Sequence, residues 1–517
     1  MDLVARVAVA AATYAIDKPY DYLVPASLAE KAVPGVRVTA PFGRGNRASE
    51  GVILAVGQES RRTGLKALTE ILDEESVLGP LQIKLALWLR ERYFCTLYDA
   101  VKALLPAGLW YQLREVCTLL TSREAALEAG KDSRESRVLE TLVSQGGSAG
   151  LDTLRLACGE GAPGVARELQ KRGLVSIEAT ASRKVSDKQV RRVTLAVSAE
   201  EAMAAVEPRR RSAPMRYEVI KLLCSIGSAL SSEICYFTGA SPQTLKNLER
   251  SGLVAFSQEE VLRVPRPEPV ESGPIVLSDE QQAAYDSILA QAGEGSASCS
   301  LLYGVTGSGK TSVYIRLLQE IVRQGRRGMI LVPEIALTPQ MMAKFGAYFG
   351  DRVVMLHSGL RMSERYDQWK RVRRGEVDIV LGTRSAVFAP LENLGMIILD
   401  EENESSYQSE NPPRYHARDV AKFLCSQQGA VLVLGSATPS VETTYQAQRG
   451  VYQKCILRSR YNRQPLPEVV IADMRQELRA GNSGMISAPL RRELEGNLER
   501  GAQSNLFLNR RRSSRLL

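Results

Sequence analysis

Eight consecutive residues, Gly304-Val305-Thr306-Gly307-Ser308-Gly309-Lys310-Thr311, constrain this chain more than any other stretch. They read G-x-x-x-x-G-K-T. The run before them, Cys299-Ser300-Leu301-Leu302-Tyr303, is short and largely apolar, as a buried strand is, and Val313, Leu317, Leu318 and Ile321 recur at helical spacing after them. A loop of this composition between strand and helix is a phosphate cradle. Gly304, Gly307 and Gly309 let backbone N–H groups turn inward, and the helix N-terminus adds a favourable dipole. With Ser308 they form the loop; Lys310 brings a charge to the β- and γ-phosphates, and the Thr311 hydroxyl is a ligand for Mg²⁺. ATP and Mg²⁺ are the expected cofactors.

At 517 residues the chain is too long for one core, and about three to five domains are expected. No apolar run approaches the roughly 18 residues of a membrane span, and the N-terminus has no signal-peptide pattern. The expectation is a cytoplasmic protein without a membrane partner. Eight cysteines are scattered singly with no C-x-x-C pair, which argues against a zinc site, and only two histidines exist, His357 and His416. A net charge of +9 favours a polyanionic partner, though spread over the whole length it is weak evidence.

Residues 1–110 read as a small β-rich module: strand-like runs at Val4–Val9, Tyr20–Pro25, Gly35–Gly43 and Glu50–Gly57, then one helical stretch from Leu78 to Leu105. Tyr20 beside Asp21 could stack a base and hold a sugar hydroxyl, although a core tyrosine is the commoner case. Two similar segments follow, 134–200 and 215–265. Arg137–Val143 resembles Glu218–Cys224, and Leu169–Val175 matches Leu248–Val254. Each reads helix, helix, helix, Gly, short β-run, the order of a winged helix, which can contact DNA or protein. A basic, Pro-bounded linker, 207–214, separates them, and a Pro-rich linker, 265–273, closes the second. Beyond it six apolar runs, near 301, 330, 354, 380, 397 and 432, alternate with gaps that mostly hold a helix: a parallel α/β sheet over 275–460.

In such sheets the ligand lies beyond the carboxyl ends of the strands. Four ends carry chemistry. The first is the loop at 304–311. The second is Asp400-Glu401-Glu402-Asn403, where Asp400 can hold Mg²⁺ and Glu401 can activate a water. The third is Gly435-Ser436-Ala437-Thr438, whose hydroxyls can sense the γ-phosphate. The fourth is Gly382-Thr383-Arg384-Ser385-Ala386, suited to a sugar–phosphate backbone.

Together these resemble superfamily 2 helicases and translocases. Val332–Gln340, His357-Ser358-Gly359-Leu360 with Ser363-Glu364-Arg365, Gly382–Phe388 and Arg414-Tyr415-His416-Ala417-Arg418-Asp419 are similar to the primosomal protein N′ (PriA) family of replication restart helicases; so are Tyr20-Asp21-Tyr22 and Val38–Gly43. The resemblance implies a multidomain α/β fold: a 3′-end DNA-binding domain (1–110), two winged-helix-like units, one RecA-like P-loop lobe (275–460) and the start of a zinc and second-lobe region (461–517). It implies recognition of stalled forks, ATP-dependent 3′→5′ unwinding and primosome assembly in a bacterial, nucleoid-associated setting. Forked and single-stranded DNA, single-strand DNA-binding protein and helicase-loader proteins are the implied partners. By the same resemblance Tyr20, Asp21, Gly43 and Lys66 line a terminal-nucleotide pocket, Arg384 and Arg414 contact DNA, Gln281 joins the ATP site, and Asn403, Ser436 and Thr438 couple hydrolysis to DNA.

The sequence departs from the family pattern twice. Asn403 stands where the family has histidine, which places the coupling of hydrolysis to DNA in question. After Leu506–Arg511, which resembles the strand opening the second lobe, Arg512 replaces the expected glycine and the family's zinc cysteines are absent. The expectation is a truncated or frameshifted reading frame, poor at unwinding. The alternatives are a non-motor fork-binding scaffold and another superfamily 2 translocase.

Overall fold

The computed structural model describes residues 2–59, 64–183, 189–260, 273–461, 464–465 and 467–507. Residues 1–459 form one compact unit and 460–517 another.

The chain opens with β1 (Asp2–Val9), β2 (Tyr20–Leu23), β3 (Arg37–Phe42), β4 (Arg47–Glu59) and β5 (Glu70–Ile71), an antiparallel sheet ordered β2-β1-β4-β3-β5. Leu23 also exchanges backbone hydrogen bonds with Lys66 and Leu68, drawing the segment before β5 back to the β2 edge. Ala5, Val7, Tyr22, Val38, Ala40 and Ile53 fill this sheet's own core. The helical stretch expected over 78–105 is two helices, Pro80–Tyr93 and Leu97–Ala103. Phe94 adopts a left-handed conformation (φ 49°) that ends the first, and the Thr96 hydroxyl accepts from the Asp99 N–H to cap the second.

Two small three-stranded sheets follow. In the first, β6 (Tyr111–Leu119) lies between β7 (Ser148–Gly150) and β8 (Val175–Arg183). In the second, β9 (Gln189–Leu195) lies between β10 (Ser228–Leu230) and β11 (Val254–Glu260). Each sheet packs four helices over a separate core. The repeat boundaries therefore differ from the reading above. The first copy takes its leading strand from 111–119, upstream of residue 134, and the segment 189–195 belongs to the second copy. The linker at 265–273 lies, except for Gly273, outside the described residues.

The largest sheet has seven parallel strands in the order β14-β15-β13-β16-β17-β12-β18: β12 (Ser298–Gly304), β13 (Arg327–Leu331), β14 (Val353–Leu356), β15 (Ile379–Gly382), β16 (Leu394–Asp400), β17 (Val431–Ser436) and β18 (Gln453–Leu457). Six match the apolar runs; β18, with Gln453 and Lys454 at its start, carried too weak a pattern to be read. Alternate residues along each strand enter opposite cores. Ile330, Ile398 and Val433 pack on the face covered by helices Asp279–Gly293 and Lys310–Arg323. Leu331, Leu399 and Leu434 face the other way. That second core is continuous with Leu85, Leu89, Leu97 and Val101 of the two N-terminal helices. Trp88 stacks on Phe423 at 4.9 Å, and the Tyr93 hydroxyl donates to Asp419 while accepting from the His416 N–H, both at 3.2 Å. The N-terminal helices are thus built into the interior of the large sheet.

The unit 460–517 holds helices Met474–Arg479 and Ala488–Glu499, joined where Glu477 accepts from the Asn482 side chain (2.7 Å) and the Ala488 N–H (2.8 Å). Of the strand expected at 506–511, only Leu506 and Phe507 fall among the described residues, both exposed and without regular structure.

Candidate active site

The parallel sheet aims its chemistry at one edge. β12 ends at Gly304, and the chain turns through Gly307 and Gly309, both at φ 80°, into the helix that begins at Lys310. A Cβ at Gly304 would lie 2.6 Å from the Ser308 Oγ, so a side chain there would have to displace that hydroxyl. Gln281 is buried beneath this loop. Its Nε2 donates to the Ser308 carbonyl at 2.8 Å, and its Oε1 accepts from the Ser278 N–H at 2.9 Å, so the structure gives Gln281 a bracing place under the loop.

Two strands arrive beside the loop. β16 brings Asp400, whose register partner on β17 is Gly435. Glu401 follows at φ 46°, a region non-glycine residues seldom occupy. This turn sends three consecutive side chains to three different places. Glu401 lies 3.7 Å from Lys310 Nζ. Glu402, buried, accepts from Arg418 at 2.8 Å, the Ser440 N–H at 2.6 Å and the Thr443 hydroxyl at 3.0 Å. Asn403 accepts from the Ser436 hydroxyl at 2.7 Å and donates to Thr438 Oγ1 at 3.4 Å. Ser436 in turn accepts from the Thr438 N–H at 2.9 Å. The uncharged amide at 403 therefore bridges the two strand ends with one donor and one acceptor.

Asp400 is held from within the fold. The Tyr314 hydroxyl, at the second turn of the helix after the loop, donates to its Oδ1 at 2.8 Å. The Tyr407 hydroxyl lies 2.7 Å from its backbone carbonyl. Burial pushes the Asp400 carboxyl up from its ordinary value, and the Tyr314 hydrogen bond opposes this. A divalent cation would offset the burial cost. The loop also fits a nucleotide. Among the described residues the Ser308 hydroxyl is buried without a hydrogen-bond partner, and Lys310 Nζ donates to the Gly304 carbonyl at 3.0 Å. Asp400 with Thr311 would hold Mg²⁺, and the loop with Lys310 the phosphates.

Neither Tyr314 nor Glu402 was singled out from the sequence, and both depend on residues far along the chain. The Tyr314 position explains Gly435: a Cβ there would lie 1.7 Å from the Tyr314 Oη. Gly435→Ala should displace the tyrosine from Asp400, lowering stability by about 1–3 kcal/mol and ATP turnover with it. Thermal denaturation reads the first effect; an unchanged midpoint would mean the ring moves aside freely.

The DNA-facing residues divide. Arg384 donates to the carbonyls of Ser406 (3.2 Å) and Gln408 (2.6 Å), so one side of its guanidinium holds a neighbouring turn. Ser385 beside it and Arg414 are exposed. In the N-terminal sheet, Tyr20 meets Phe42 edge-on at 5.0 Å, and Lys66 donates to the Gly43 carbonyl at 2.6 Å. Tyr20, Gly43 and Lys66 thus converge. Asp21, next along β2, takes the opposite side of the strand and pairs with Arg6 at 3.4 Å. Of the four residues, three are brought together.

Comparison with known proteins separates the first sheet from the parallel sheet. A family described as the 3′ DNA-binding domain (3′BD) of PriA matches residues 6–106, and the DEAD/DEAH box helicase family matches 278–447. The replication restart protein PriA of Bacillus subtilis is 37% identical over 98% of this chain and 62% of its own length. Those of Synechocystis and Haemophilus influenzae are each 42% identical, over 52% and 46% of this chain and 33% and 32% of their own lengths. This chain thus spans less than two thirds of the relatives it matches. With a 3′BD match on its first sheet, a helicase match on its parallel sheet and this likeness running across both, the chain is similar to the PriA replication restart proteins over nearly its whole length.

Proposed function

We propose that this chain supplies the fork-reading and ATP-hydrolysing part of a replication restart helicase. In this reading the first sheet recognises the 3′ end of a nascent strand, the parallel sheet drives 3′→5′ movement along DNA, and the whole protein unwinds stalled forks and hands them to single-strand DNA-binding protein and helicase-loader partners at the bacterial nucleoid. The observation that supports it most is the convergence of Lys310, Asp400, Glu401, Ser436 and Asn403 at one sheet edge, in the same compact unit as the sheet that matches a 3′-end binder.

Bound ATP–Mg²⁺ would supply the transferable phosphoryl group and a compensating positive charge. Lys310 steadies the developing negative charge from the first helical residue. Tyr314 fixes the rotamer of Asp400. Glu401 accepts a proton from the attacking water at its carboxylate. Ser436, Asn403 and Thr438 tie that carboxylate's strand to the end of β17, so a change on one side is felt on the other.

The test is ATP turnover by the purified chain, with and without a forked DNA bearing a free 3′ end. Turnover stimulated by the fork and lost in Lys310→Ala is expected. Fork binding with no turnover under any DNA would overturn the motor reading and leave a fork-binding scaffold.

A further inference from the structure

The second winged unit exposes two adjacent aromatic rings that its own fold does not use. Tyr236 and Phe237 are 83% and 73% exposed, with ring centroids 5.4 Å apart at 80°. Their helix, Ser231–Thr238, contributes only Ile234 to the fully buried core, whose other members include Val219, Ile220, Leu223, Leu245 and Leu248. The rings point away from it.

Positive charge lies alongside. A Cβ at Gly239 would meet Met215 Sδ at 3.8 Å, so the end of the aromatic helix sits against the start of helix Pro214–Ile226. The residues leading into that start are Arg209-Arg210-Arg211, all exposed, and Arg216 follows. Arg210 lies over the Tyr217 ring at 4.7 Å and pairs with Glu207 at 3.8 Å. Arg209, Arg211 and Arg216 have no ion-pair partner among the described residues. Glu233, on the aromatic helix itself, accepts from the Leu230 N–H at 3.0 Å and so caps that helix.

The first winged unit provides an internal contrast. The matching helix, Leu151–Cys158, also exposes a large apolar residue at the equivalent place, Leu156, at 89%. That residue has no π-face, and Arg155 beside it is paired with Asp152 (3.7 Å) and Glu160 (3.4 Å). The same position is thus aliphatic and neutralised in one copy, aromatic and flanked by unpaired arginines in the other.

We infer that the second winged unit is a stacking platform for unpaired bases of single-stranded DNA, with Tyr236 and Phe237 taking the bases and Arg209, Arg211 and Arg216 the phosphates. Exposed rings beside a cationic run suit a polyanion with flat apolar faces, and every base offers such a face, so binding is indifferent to sequence. The site is separate from the ATP edge and from the Tyr20 sheet, and it does not depend on the motor reading.

The experiment is photocrosslinking of the whole chain to a 5-iodouracil-substituted oligothymidylate whose 3′ end is blocked, with the adduct located by mass spectrometry. The expected adduct is at Tyr236 or Phe237, absent at Leu156 and suppressed when the oligonucleotide is annealed to its complement. In parallel, the Tyr236→Ala, Phe237→Ala double variant should bind the same oligonucleotide about fivefold or more weakly, with its melting midpoint unchanged. Tyr236→Trp should keep affinity and show indole quenching on binding; this arm decides the matter should the alanine variant fold poorly. Adducts confined to other segments, with undiminished affinity and no quenching, would overturn the proposal. So would a concentration-dependent self-association that the double variant abolishes without change in DNA affinity, since the patch would then be an interface between copies.

Discussion

Glu401→Gln should reduce DNA-stimulated ATP turnover by about 10²- to 10⁴-fold, the usual worth of a positioned general base, while nucleotide affinity stays nearly unchanged. The residue's backbone explains why so sharp a separation is expected. At φ 46° the chain leaves β16 in a tight left-handed turn, and the side chain is delivered 3.7 Å from Lys310 and 3.4 Å from the Ser436 hydroxyl. Glutamine has the same length and keeps an oxygen for that hydroxyl. It cannot take a proton. Steady-state turnover and nucleotide binding, measured on the same preparation, separate the cases. If both fall together, Glu401 serves binding and the water-activating role fails.

The second large effect lies far from the nucleotide. Arg37, on β3, is fully buried and meets Asp73 along two edges: Nε to Oδ2 at 2.9 Å and Nη2 to Oδ1 at 2.5 Å, with the Arg37 N–H also donating to Oδ2 at 2.9 Å. Its remaining Nη1 donates to the Leu109 carbonyl, at the end of the N-terminal helical segment. Asp73→Ala removes the carboxylate that meets this enclosed guanidinium along two edges, and a loss of about 3–5 kcal/mol is expected. Replacing both partners with apolar residues of similar size should recover much of it. Chemical denaturation, followed by a probe in the first sheet, distinguishes these outcomes. A loss under about 1 kcal/mol would mean that water reaches the pair as it does at a surface.

What could be read in the sequence was what is local along the chain. The loop at 304–311 is eight contiguous residues with a strand before and a helix after, and six of the seven parallel strands are unbroken apolar runs. The partners of those residues were hidden. Tyr314 and Asp400 are 86 positions apart, and Tyr314 reads as one more apolar residue on a helix face. Glu402 looked like a continuation of an acidic run, because burial by Arg418, Ser440 and Thr443 leaves no mark on the residues beside it. The strand β6 was missed since Gln112, Arg114 and Glu115 interrupt its apolar residues and its partners arrive some thirty and sixty positions later. The hydrogen bonds of Arg384 left no mark in the motif it sits in, since only tertiary structure brings the two carbonyls near.

The continuity of the interior between the N-terminal helices and the parallel sheet has a mechanical meaning. A reader of strand ends and an ATP-driven element joined by a flexible tether can vary their separation freely. Here Leu85, Leu89, Leu97 and Val101 share one packed interior with Leu331, Leu399 and Leu434, with Trp88 laid on Phe423. Close-packed interiors resist stretching. In the proposed function the two parts would therefore act as a rigid gauge: the span of nucleic acid between a captured end and a strand under the parallel sheet would be set by the sizes of side chains that touch neither.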